Sequence, residues 1–221
     1  MTLKLNFDFE GQRVKSDWIE YWNDFTKPTD YDTNDWTLTT VEAGASSATE
    51  AIGNLLGGVL VVTNDAADDD SDFFQSAKEI FKWTSGKRLY FGMRAKISDV
   101  TQSDFVFGLQ ITDTTPLAVT DGMYFQSDDG DAYLDFHSVK NSTATDVTQL
   151  ATLTNDTYFV IEAYYDGANK WELFFNGATV GACALTNVCD DEELAISFGI
   201  QNGEAVAKIL SVDWIRVVQE R

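Results

Sequence analysis

The sequence predicts an all-β fold of two stacked antiparallel sheets, and three observations carry that expectation. Apolar and polar residues alternate over many short stretches. Asp-Gly and Asn-Gly pairs separate those stretches, and the chain holds 15 glycines but only 2 prolines. Period-two alternation turns every second side chain to one face, and Asx-Gly pairs tolerate the positive φ angles of tight hairpin turns. At 221 residues, 44% hydrophobic and 13% aromatic, the chain can bury a substantial core as a single sandwich.

The first 27 residues stand apart. They hold four basic and five acidic residues, which leaves −20 of the formal −21 for the remainder. Within them, SDWIEYWNDF (16–25) reads as a short helix. Asp17 would cap its first amides with Glu20 reaching back, as in a capping box. Trp18, Tyr21, Trp22 and Phe25 would then share one aromatic face at helical spacing. So short a helix cannot stand alone, so that face is expected to pack on the sandwich or on another chain. KPTDYDTND (27–35) supplies the turn chemistry that ends it.

The strands follow in order. GGVLVVTN (57–64) is a compact β-branched run, and KRLYFGMRAKI (87–97) alternates Leu89, Phe91, Met93, Ala95 and Ile97 against polar or small neighbours. DFVFGLQIT (104–112) alternates Phe105, Phe107, Leu109 and Ile111. DGMYFQS (121–127), AYLDFHSV (132–139), TYFVIEAYY (157–165), KWELFFN (170–176), ELAISFGI (193–200) and VAKILSVDWIRVV (206–218) complete the set. In NKWELFFNGATVG (169–181), Asn176-Gly177 marks a β-hairpin whose flanking residues continue the alternation. No linker or repeat divides the chain, so residues 1–27 are expected as an arm or short helix and 28–221 as one sandwich domain.

A sequence pI near 4.1 disfavours nucleic acid and anionic membrane surfaces, because a strongly negative protein repels phosphate. No stretch approaches the roughly 20 apolar residues of a spanning helix. The opening MTLKLNFDFEGQRVK shows no basic start followed by an apolar run, so folding in a cytoplasm is expected. Cys183 and Cys189 are too few for a disulfide framework and read as two idle thiols, with one small bridge as the alternative in oxidising surroundings.

Catalytic chemistry finds little support in the residues. His137, the one histidine, alternates onto a sheet face beside Tyr133 and Asp135 and reads as a surface or hydrogen-bonded sheet residue rather than the base of a triad. Glycoside hydrolysis needs two facing carboxylates, yet no strand presents Glu-x-Asp-x-x-Glu, and Asp128, Asp129 and Asp131 fall at a turn. NDAADDDSD (64–72) carries Asp65, Asp68, Asp69, Asp70 and Asp72, an oxygen supply suited to calcium, against the plainer reading of a solvated charged loop. CDDEE (189–193) is a second acidic cluster, and GNLLGG (53–58) lacks the pattern of a phosphate cradle.

NDF…NDW (23–36), GGVLVVTN…DDDSDFFQ (57–75), FKWTSGKRLYFGMRAKISDVTQSDFVFGLQITD (81–113), the hairpin YFVIEAYYDGANKWELFFNGATVG and the closing VAKILSVDWIRVV form one layout. From about Asp24 onward it resembles the concanavalin A-like (laminin-G-like) jelly-roll domains common among tailed-phage virion proteins. The metal ligands of legume lectins and the glucanase carboxylate motif do not map onto this chain. The resemblance therefore implies a virion structural protein, most concretely a capsid decoration (cement) protein assembled in a host cytoplasm. Trp18, Tyr21, Trp22 and Phe25 would dock on the major capsid protein or another virion protein, with homo-oligomers such as trimers, no catalytic residue and no required cofactor. The alternative it implies is a lectin-like module of a tail or fibre that recognises host polysaccharide.

Overall fold

Backbone amides of a strand need a partner strand, and the order in which this chain supplies partners sets its architecture. The computed structural model describes residues 17–44 and 46–221. Fifteen strands form among them. The first eight are β1 (Trp18–Asn23), β2 (Trp36–Val41), β3 (Thr49–Ile52), β4 (Leu60–Thr63), β5 (Ser71–Ser76), β6 (Leu89–Ile97), β7 (Ser103–Gln110) and β8 (Gly122–Ser127). The rest are β9 (Tyr133–Lys140), β10 (Thr143–Thr152), β11 (Phe159–Tyr165), β12 (Lys170–Phe175), β13 (Ala178–Ala184), β14 (Ala195–Asn202) and β15 (Ile209–Glu220).

They pair into two antiparallel sheets stacked as a jelly-roll sandwich. One is eight-stranded, ordered β13-β12-β11-β6-β15-β4-β3 with β1 also on β15; the other is seven-stranded, ordered β10-β9-β8-β7-β14-β5-β2. β15 is the seam of the first sheet. One edge pairs with β6, while the other is shared, Ile209–Val212 with β4 and Ile215–Glu220 with β1.

That sharing explains a correction. Residues 18–23 form a strand, not the expected helix. The C-terminal half of β15 leaves a row of backbone groups that β4 is too short to pair, and β1 closes it from Trp18↔Glu220 to Asn23↔Ile215. Trp, Tyr and Ile fit a pleated surface well, so this long-range pairing overrides the helical spacing. β1 thus belongs to the sandwich, and the boundary placed at residue 27 falls inside it; residues 1–16 of the expected arm lie outside the described residues.

The core lies between the layers. Phe91 meets Phe107, Phe125, Phe136 and Trp171 at ring-centroid distances of 5.6–6.4 Å, and Phe198 stacks on Phe74 at 4.9 Å while meeting the Trp36 edge at 5.2 Å. These edge-to-face and offset contacts are the arrangements aromatic quadrupoles favour. The hairpin joining β12 and β13 turns as expected, with Asn176 at φ 49° and Gly177 at φ 76°. Cys183 and Cys189 are buried free thiols, and burial pushes both up to about 11.

Phe198→Ala removes a fully buried ring at the centre of one aromatic group and is expected to cost about 3–5 kcal/mol in urea unfolding, whereas Leu56→Ala, at a fully exposed loop tip, stays within about 0.5 kcal/mol. Iodoacetamide at mildly alkaline pH is expected to leave both cysteines unmodified in the folded protein and to alkylate both in urea, as read by mass spectrometry.

Candidate functional site

The inner residues of the seven-stranded sheet are committed to the core, so its chemistry sits on the outer face. Two glycines shape that face. A Cβ on Gly108 would lie 2.6 Å from the Tyr124 Cβ, and one on Gly199 2.4 Å from Phe73 Cδ1, so both rings depend on bare backbone beside them. Phe73, Val106, Val119, Tyr124 and Val139 make a second, outer hydrophobic cluster, against which Ile111 and Leu117 pack.

Ile111 and Leu117 belong to the segment between β7 and β8, which crosses this face and is pinned at several points. Gln75 donates to the Ile111 carbonyl at 3.2 Å and accepts from the Asp113 amide at 3.0 Å. Gln110 donates to the Pro116 carbonyl at 2.9 Å, and the Ser142 amide to the Thr120 carbonyl at 2.8 Å. Beside the segment, toward β2, runs a groove of about 460 Å³. Phe73, Pro116, Leu117 and Val41 give it an apolar lining; Thr39, Ser71, Thr114, Thr115, Asp69 and Gln201 give it hydroxyl, carboxylate and amide groups. Gln201 Nε2 donates to Asp69 Oδ1 at 2.9 Å, fixing both side chains.

On the opposite side of the segment, neighbouring strands assemble Tyr124, His137 and Asp146. The Tyr124 and His137 rings lie 5.2 Å apart, and His137 Nδ1 is 2.8 Å from Asp146 Oδ1. A carboxylate only accepts, so Nδ1–H is the donor in this pair. His137 Nε2 and Gln126 Oε1 are buried without a hydrogen-bond partner among the described residues. Burial, with Asp146 and Asp128 adding, pushes the Tyr124 phenol up to about 12, so it stays protonated. Asp104, at the strand end opposite Gln201, is pushed up to about 6, mainly by burial; the Asp129 amide bond opposes this, and the carboxylates of Asp129, Asp128 and Asp69 reinforce it.

The acidic run is only in part the solvated loop of the plainer sequence reading. Asn202 Nδ2 donates to the Asp65 and Ala67 carbonyls at 2.7 and 2.9 Å, wrapping residues 65–70 around itself. Its five aspartates part company. Asp65 accepts from the Ser46 amide, Asp69 from Gln201, and Asp68 is exposed, whereas Asp70 and Asp72 are buried. Burial pushes Asp72 up to about 8, with Glu50, Glu42 and Asp70 adding to it. Among the described residues, the acid–thiol group whose ligand atoms lie within 4.8 Å is Asp121, Cys189 and Asp191; Asp121 already accepts from the Asn141 amide and Asp191 pairs with Lys140.

The aromatic face expected for docking is likewise divided. Phe25 is fully buried against Phe198, and Tyr21 meets Trp36 edge-on at 6.2 Å. Trp18 lies under the Arg88 guanidinium, and Trp22, half exposed, stacks on Trp214 at 5.6 Å. Strand geometry puts Trp18 and Trp22 on one face and Tyr21 on the other, which is why the helical grouping fails.

No protein-family model and no curated protein matches the sequence. Solved structures match over nearly the whole chain. A protein of unknown function from Shewanella oneidensis MR-1 is similar at a TM-score of 0.63 and 16% identity, covering 92% of this chain and 87% of that one. Peanut lectin is similar at 0.63 and 9%, covering 91% and 97%, and the endo-1,3-β-glucanase (laminarinase) catalytic domain from Thermotoga petrophila RKU-1 at 0.62 and 13%, covering 93% and 99%. These likenesses show the concanavalin A-like jelly-roll fold. The phage and capsid part of the expectation gains nothing from them. The expectation of a non-enzymatic chain does not stand: most of the similar structures are glucanases, joined by a fungal endo-β-1,4-glucuronan lyase, so this architecture hosts catalysis. β8 turns Gly122, Tyr124 and Gln126 to the outer face.

Because the folded-state pKa of Asp104 is raised, its contribution to stability is present below the unfolded value of 3.8 and is lost as pH rises through about 6. Asp104→Asn is expected to gain on the natural protein in thermal unfolding as pH goes from 4 to 7. A constant gap across that range would refute the assignment.

Proposed function

We propose that this chain is a glycan-binding jelly-roll domain whose saccharide lies in the groove beside Thr114–Ala118. The groove carries the reading. Its size falls within the usual range of ligand sites, and it combines an apolar lining with a few fixed polar groups. Sugar rings present both kinds of surface, a C–H face and a rim of hydroxyls. The Asp69–Gln201 pair, already oriented by its own hydrogen bond, offers both an acceptor and a donor to such hydroxyls at little ordering cost. Support also comes from the fold, shared with a lectin and with enzymes that act on glucans.

Charge narrows the ligand. At a formal −21, the protein repels uronate chains, so the reading favours neutral polysaccharide over acidic ones. Binding and turnover are compatible on this face, where Tyr124, His137 and Asp146 stand across the segment from the groove.

The test is a panel of neutral β-glucans and acidic glucuronan, scored by affinity electrophoresis and calorimetry, with reducing-end release followed in the same samples. Neutral glucan is expected to bind, acidic glucuronan to bind more weakly or not at all, and Gln201→Ala to weaken binding roughly five- to tenfold, as loss of one hydrogen bond implies. Equal affinity in the variant, or no neutral glycan bound, overturns the reading. Reducing-end release decides whether the sugar is only held or also cut.

A further inference from the structure

We propose that the edge of the sandwich between β4, β5 and β14 holds a calcium ion on the carboxylates of Asp70 and Asp72 and the amide oxygen of Asn64. All three side chains are buried, at 1%, 0% and 2% exposure. Asp72 has no partner at either oxygen; Asp70 accepts from the Ala43 amide with Oδ1 at 2.6 Å and leaves Oδ2 unpaired; Asn64 leaves Oδ1 unpaired. The Asn64 amide cannot be turned to relieve this, because its Nδ2 donates to three acceptors: the Asp70 carbonyl, the Ile200 carbonyl and Asn202 Oδ1. The result is four buried oxygens with no hydrogen-bond partner among the described residues. Such groups are costly without compensation, carboxylates most of all.

Placement brings them to one locality. Asn64 follows β4 and reaches across the layers to the Ile200 carbonyl, and Ile200 is the cross-strand partner of Asp72. Asp72 lies on the same side of β5 as the core residue Phe74, and Asp70 stands two residues before it. No ion pair among the described residues gives Asp70, Asp72, Glu42 or Glu50 a Lys or Arg partner, and both glutamates add negative charge around Asp72. Carboxylate and amide oxygens are hard donors, the set calcium takes, with backbone carbonyls and water filling its coordination of six to eight. The frame is rigid before any ion arrives, since Asn202 anchors the loop independently.

The experiment is thermal unfolding and calorimetry of the whole protein with calcium chloride alone, in EDTA, and with magnesium chloride. At calcium about a hundredfold above its Kd, the melting temperature is expected to rise by roughly 5–10 °C, with one ion bound per chain and a smaller response to magnesium. Asp72→Asn is expected to abolish the calcium shift while leaving the melting temperature in EDTA at or above that of the natural protein, because it removes a ligand group that has no partner in the ion-free protein. Should that variant fail to fold, Asp70→Asn serves in the same comparison. No calcium shift in the natural protein, or an equal shift in the variant, overturns the proposal. Neither result bears on glycan binding, which is measured separately.

Discussion

The layer of aromatic rings between the two sheets is the constraint on which everything else rests. Phe91 touches rings from both sheets, and Phe74, Phe198 and Trp36 lock the far end of the same layer. Rings of this size contribute the largest burial per residue and prefer defined mutual angles, so they fix the separation and offset of the sheets. With alternate residues committed to that layer, the others must face outward, and the outer face of the seven-stranded sheet acquires its residues by default.

What that face then does is decided by a few small residues. Gly108 and Gly199 leave room for Tyr124 and Phe73 to lie against the sheet, and the segment between β7 and β8 packs over them. The groove and the Tyr124–His137–Asp146 group flank that segment. At the sandwich edge the same alternation has the opposite result, because it turns Asp72 inward where a hydrophobic residue would be ordinary. A carboxylate retained at such a place marks a local departure from packing economy, and such departures tend to coincide with function.

Much of this was legible. The strands over 89–97, 103–110, 122–127, 133–140, 159–165, 170–175 and 195–202 follow the alternation, and Asn176-Gly177 turns as its chemistry requires. His137 is a hydrogen-bonded sheet residue, one of the two readings its position allows. β10 gives no strand signal, because TATDVTQLAT is polar and mostly exposed, with no apolar period. β5 was hidden because its first residues sit inside an acidic run that reads as loop. β1 carries a helical pattern because aromatic residues spaced for one helical face also suit a strand, and the deciding partner lies near the other end of the chain.

By itself, then, the sequence determined the two-layer sandwich, since alternation and turn chemistry are local properties of neighbouring residues. The tertiary structure alone decided which acids are buried, which aromatics share a face and where the groove opens. Those outcomes depend on pairs such as Asn64 and Asn202, 138 positions apart, and distance along the chain carries no sign of contact in space.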